Sequence, residues 1–208
     1  MLGLAAAALT AGLLAAPLAA QSPQSDAART IIVLDGSGSM WGQIDGRPKL
    51  EIAREVLGRV LAELPPEREL GLMAYGHRRR GDCTDIELVV PPAPGNAGAI
   101  TAAAQAMRFQ GRTPLTDAVR AAARELNFTE NPATVVLITD GIETCDADPC
   151  ALGRELSAAG IDFTTHVVGF GMTAAEGAQV ACLARETGGQ YLLADDAAGL
   201  AAALAATV

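Results

Sequence analysis

Short apolar runs alternate with helix-patterned segments along nearly the whole chain, and this rhythm constrains the fold more than any other feature. The run "RTIIVLD" (29–35) reads as a strand buried on both faces. "KLEIAREVLGRVLAEL" follows with Leu50, Ala53, Val56, Leu57, Val60, Leu61 and Leu64 at helical spacing, and Pro65-Pro66 stops it. "ELGLMAYGH" and "DIELVV" read as two strands. Their short polar connection around Cys83 leaves no room for a crossover helix, so they are expected to be antiparallel. "GNAGAITAAAQAM" and "TPLTDAVRAAARELN" predict two helices, "ATVVLITD" a buried strand, and residues 148–159 a further helix. "IDFTTHVVGFG", "TAAEGAQVACLARETGG", "QYLLA" and "DDAAGLAAALAATV" continue as strand, helix, strand and closing helix.

This order predicts an α/β fold: a doubly wound, Rossmann-like, mostly parallel six-stranded sheet with one antiparallel edge strand and helices on both faces. Half of the 208 residues are hydrophobic, and no repeat, low-complexity linker or charge block divides them. One domain over residues 28–207 with a full-sized core is expected. In such sheets functional groups gather beyond the carboxyl ends of the strands, where the strand order reverses. Two strands here, "IIVLD-G" and "VVLITD-G", deliver an aspartate at that end followed by glycine. If they are neighbours, Asp35 and Asp140 face one crevice.

The loop after Asp35 sharpens the expectation. In "DGSGS", Asp35, Ser37 and Ser39 occupy every second position, and Gly36 and Gly38 permit close backbone approach. Hard oxygen donors carrying little formal charge suit a magnesium-like ion. Asp140 adds a second carboxylate, and Thr113, in "GRTPLTD" at a helix start, a third hydroxyl. Other chemistries lack their signatures. "DGSGSM" is not a Gly-x-Ser-x-Gly elbow, no Gly-x-x-x-x-Gly-Lys loop exists, and no second aspartate follows Asp35 at the spacing an aspartyl-phosphate enzyme needs.

Asp-x-Ser-x-Ser after the first strand, a Thr-Pro-Leu helix start and a strand ending "ITDG" together resemble the von Willebrand factor A-type domain, in its bacterial extracytoplasmic form. The resemblance covers about residues 28 to 207. It implies a metal-ion-dependent adhesion site at Asp35, Ser37, Ser39, Thr113 and Asp140, holding Mg²⁺ or alternatively Ca²⁺ or Mn²⁺. In the family pattern Ser37 and Ser39 bind the ion directly, Thr113 does so in the ligand-competent state, and Asp35 and Asp140 act mostly through water. The partner implied is a protein offering an Asp or Glu carboxylate, and the role is binding rather than catalysis. Two other roles stand beside it: an adaptor subunit in a chelatase- or ATPase-like assembly, and a metal-dependent hydrolase. The second lacks a plausible base, since neither His77 nor His166 is convincingly placed.

Charge and composition set the remaining bounds. A formal net charge of −9 argues against nonspecific nucleic-acid binding. The basic run His77-Arg78-Arg79-Arg80 is either a solvated loop or an attractor for an acidic partner on the metal face. Trp41, the only tryptophan, either contacts a partner beside the ion or covers the underside of the metal loop. His166 reads as a packed strand residue. Residues 1–20, "MLGLAAAALTAGLLAAPLAA", read as a signal peptide cleaved near Ala19 or Ala20, with an uncleaved anchor as the alternative. Both imply export to a periplasmic or extracellular site, and past residue 30 no run is long enough to span a bilayer. Cys83, Cys145, Cys150 and Cys182 then favour disulfides over zinc. Of three possible pairings, one closes the small "CDADPC" loop and leaves Cys83 with Cys182. All four cysteines are expected near the crevice, where bridges would stiffen the loops framing the metal.

Overall fold

The structure, a computed structural model, describes residues 28–208; the expected signal segment lies outside the described residues. Eight strands and six helices follow one another in the order β1 (Arg29–Asp35), β2 (Gln43–Ile44), β3 (Arg47–Pro48), α1 (Lys49–Glu63), β4 (Leu70–Tyr75), β5 (Ile86–Ala93), α2 (Ala97–Ala106), α3 (Leu115–Glu125), β6 (Ala133–Thr139), α4 (Pro149–Ala159), β7 (Phe163–Phe170), α5 (Ala174–Glu186), β8 (Tyr191–Ala194) and α6 (Ala197–Thr207). The main sheet has six strands in the order β5-β4-β1-β6-β7-β8. All its pairings are parallel except β4 with β5, which forms the antiparallel edge. Pro91 and Pro92 lie in β5, where an edge strand can lack ladder donors.

The alternation of β1 explains its burial. Ile32 and Leu34 face one layer of helices, α1, α2 and α6, while Ile31 and Val33 face the other, α3, α4 and α5. All four are 0% exposed. The α1 stripe read from the sequence packs as expected, with Leu50, Ala53, Val56, Leu57, Val60 and Leu61 all buried. α4 begins behind Asp148, whose carboxylate accepts from the Cys150 and Ala151 amides, and α5 behind a Thr173/Glu176 capping box.

Strand order reverses at β1, which pairs with β4 on one side and β6 on the other. The two aspartate-ending strands are therefore neighbours, as the sequence reading required. The β2–β3 hairpin was not expected. Its signal is "DG": Asp45 at φ 52° and Gly46 at φ 77° supply the two positive φ values of a tight hairpin turn. The consequence is positional, because the hairpin delivers Lys49 to the carboxyl end of the sheet as the first residue of α1. Among the described residues no helix is long and apolar enough to cross a membrane.

Candidate metal centre

Five side chains from three distant segments meet at the carboxyl ends of β1 and β6. Asp35, 0% exposed, closes β1. Its Oδ1 accepts from the Ser37 amide at 2.7 Å, which pins the start of the loop. Its Oδ2 accepts from the Thr139 hydroxyl at 2.8 Å, and that hydroxyl in turn accepts from the Tyr75 phenol at 3.1 Å. The Ser37 and Ser39 hydroxyls share a hydrogen bond of 2.8 Å, and Ser39 donates to Asp140 Oδ1 at 2.5 Å. Ser37, Ser39, Thr113 and Asp140 line one open cleft of about 620 Å³, with Arg112 and Glu176 on its rim.

The loop holds this shape through backbone bonds to two other segments. Gly36 N–H donates to Tyr75 O at 2.8 Å, Gly38 N–H to Gly111 O at 3.1 Å, and Gly111 N–H to Gly76 O at 2.7 Å. Three chain segments thus interlock through glycines. The hydrophobic underside of the loop is filled by Met40, 0% exposed. Trp41 does not cover it: the indole is 58% exposed and donates to Phe109 O at 2.7 Å.

The electrostatics call for positive charge. Burial raises the Asp35 carboxyl above its ordinary value and repulsion from Asp140 adds to the rise, while hydrogen bonds from Ser37 and Thr139 oppose it. Burial also pushes the Tyr75 phenol well up, so it remains a neutral donor. The protein's own answer is Lys49, whose ammonium lies 3.0 Å from Asp140 Oδ2 and donates to Gly171 O at 3.1 Å. The sequence reading missed Lys49; the "DG" hairpin followed by a helix start was the signal that could have placed it. The donor set fits a hard cation. Hydroxyls outnumber carboxylates, and the protein already sets an ammonium against one carboxylate. Among the described residues no group of three or more His, Cys, Asp or Glu offers a rival metal cluster.

The basic run emerges on this face but is largely self-neutralised. Arg78 pairs with Asp85 at 2.8 Å and Glu87 at 3.2 Å, and Arg79 with Asp82 at 3.0 Å. Asp85 is fully buried and also accepts the Arg78 and Arg79 amides, at 2.7 and 2.8 Å. Burial alone would raise its carboxyl, but these bonds outweigh it and hold it below the ordinary value. The solvated-loop reading thus fits Arg78 and Arg79 better than an attractor of acidic partners. Neither histidine lines the cleft. His77 is buried with Nε2 2.9 Å from Glu87, and His166 is a packed strand residue whose Nδ1 accepts from the Gln190 amide.

The cysteine pairing corrects the sequence suggestion. The bridges are Cys83–Cys145 and Cys150–Cys182, so the "CDADPC" loop is not closed on itself. Asp148 caps α4 between those two cysteines, and Cys150 faces α5 instead. Cys182 lies toward the end of α5, 3% exposed, so its bridge staples two helices rather than a crevice loop. Cys83–Cys145 does frame the centre. Next to it, Thr144 takes the Thr113 amide on its hydroxyl at 2.9 Å and returns its own amide to Thr113 O at 3.2 Å. Replacing Cys83 and Cys145 by serine is expected to cost about 2–5 kcal/mol in urea unfolding, the usual scale for losing a native disulfide. It should also weaken metal binding measured by calorimetry, because the Thr113 segment loses its anchor.

A doubly wound sheet that gathers hydroxyls and carboxylates at its switch point defines a class of domain whose business is done beyond the strand ends. The chain belongs to the von Willebrand factor type A domain family, whose profile matches residues 30–143. The uncharacterized protein YwmD of Bacillus subtilis (strain 168) is 27% identical over 193 residues, covering 88% of this chain and 86% of YwmD. The pilus adhesin SpaC of Lactobacillus rhamnosus GG is 18% identical with a TM-score of 0.68, over 87% of this chain and 30% of SpaC. Proximal thread matrix protein 1 of the mussel byssus, with zinc in its metal-ion-dependent adhesion site motif, is 18% identical with a TM-score of 0.58, over 85% of this chain and 46% of its own. The chain spans less than half the length of these two solved structures, and their likeness establishes the fold.

Proposed function

We propose that this domain is an exported, non-enzymatic binding module that holds one divalent cation and uses it to grip an acidic side chain of a protein partner. The convergence of Ser37, Ser39, Thr113 and Asp140 on one cleft, above buried Asp35, carries the reading. These five residues would hold the ion, with Mg²⁺ expected and Ca²⁺ or Mn²⁺ as alternatives. The ion would supply a Lewis-acidic site for a carboxylate oxygen that the acidic chain could not otherwise attract. The chain's own residues orient and exclude: Asp35 fixes the loop through the Ser37 amide, and Met40 keeps its underside dry. Support from relatives is consistent, since the mussel byssus protein carries zinc in this motif and SpaC is a pilus adhesin. Two disulfides suit an oxidising periplasmic or extracellular compartment.

Calorimetric titration of the purified domain with Mg²⁺, Ca²⁺ and Mn²⁺ tests the metal half, and one ion per chain is expected. The partner half is tested by capturing proteins of the native envelope on the immobilised domain. Retention should be lost in EDTA and restored by Mg²⁺; retention indifferent to chelator would refute carboxylate capture through a metal.

A further inference from the structure

Lys49 is built into the centre rather than left beside it. Its side chain is 13% exposed, and the Asp140 side chain it meets is 0% exposed. The stem runs between two glycines. A Cβ at Gly171, which adopts φ +62°, would lie 2.8 Å from Lys49 Cε and 3.2 Å from Nζ, and one at Gly42 would lie 3.5 Å from Cε. Gly171 thus leaves room for the end of the lysine, while Gly42 lies in ordinary packing distance of its stem. Gly42 also anchors the base of the side chain, its carbonyl accepting the Lys49 amide at 2.8 Å.

Charge arithmetic gives this ammonium a role. Arg112 and Glu176 on the rim carry opposite signs and roughly cancel. Ionised Asp35 and Asp140 against Lys49 leave one net negative charge before a divalent cation enters and one net positive charge after. Without Lys49 the loaded centre would be neutral. Resting on the function proposed above, we infer that Lys49 is a resident monovalent cation and positioning residue. It holds Asp140 and weakens divalent-ion binding, and it leaves the loaded centre with a surplus positive charge that strengthens its hold on the partner's carboxylate.

The two effects have opposite signs, which a merely structural role would not produce. In Lys49→Met, which keeps the apolar stem, and in Lys49→Gln, Mn²⁺ should bind about tenfold more tightly by calorimetry. That is the scale of one like charge several ångströms away in a solvated cleft. At saturating Mn²⁺, acetate standing in for an Asp or Glu side chain should bind about tenfold more weakly, read from the water-proton relaxation of the bound Mn²⁺. Lys49→Arg, which retains the charge, should stay near wild type in both. Far-UV circular dichroism checks that each variant is folded, and two neutral variants guard against one failing to fold. Unchanged or weaker Mn²⁺ affinity in the folded neutral variants, or acetate affinity independent of residue 49, overturns this inference alone. A wild-type protein that binds no Mn²⁺ removes the metal centre and this inference together.

Discussion

Replacing Ser37 and Ser39 together by alanine is expected to weaken Mg²⁺, Ca²⁺ and Mn²⁺ binding by at least about a hundredfold, to the floor of a calorimetric titration. The two hydroxyls bond to each other and on to Asp140, forming the middle of the donor set. Losing both leaves the Thr113 hydroxyl and two carboxylates, one of them already engaged by Lys49. The fold should survive, because the loop's anchors are backbone groups: the Ser37 amide to Asp35 and the Gly38 amide to Gly111. A urea midpoint near wild type with metal binding gone is the expected pair of results. Wild type and double mutant equally inert to all three ions would end the metal assignment.

Gly76→Ala should be the most destabilising single change near the centre, costing about 3 kcal/mol in urea unfolding. Gly76 adopts φ +66°, and an added Cβ would lie 2.4 Å from Arg112 O and 3.2 Å from the Ser37 amide nitrogen. Both neighbours are backbone, so no rotamer change relieves the clash. The same residue accepts the Gly111 amide and donates to Asp85 O. Displacing it therefore moves the β4–β5 connection, the segment before Thr113 and the Asp35 loop together, and metal affinity should fall with stability. Gly46→Ala is the control. It too has positive φ, at +77°, but nothing lies within 4 Å, so only the backbone cost of about 1 kcal/mol is expected. Equal losses for the two variants would mean that the interlocked glycines do not hold the centre together.

The sheet, its antiparallel edge and the meeting of Asp35 with Asp140 were legible because each follows from local pattern plus a topological rule. Periodicity places β1 and α1, and the shortness of the link through Cys83 forces β4 and β5 to run antiparallel. What the sequence hid were contacts decided only after the chain has folded. Lys49 meets Asp140 across 91 residues: the "DG" turn could place it near the strand ends, but its partner is set only once the chain has folded. The disulfides span 62 and 32 residues, and the tempting short pairing in "CDADPC" fails because Asp148 begins a helix between the two cysteines. Likewise "HRRR" looks like free positive charge until the chain returns with Asp82, Asp85 and Glu87.

The lone indole next to the loop gives this domain a built-in optical reporter. With a single tryptophan in the chain, emission has one origin, and the tether from Trp41 to the Phe109 carbonyl holds that origin on the segment leading to Thr113. Ion entry or guest docking that shifts this segment would change fluorescence without any attached dye, so occupancy could be followed in the purified, unlabelled protein at ordinary assay concentrations.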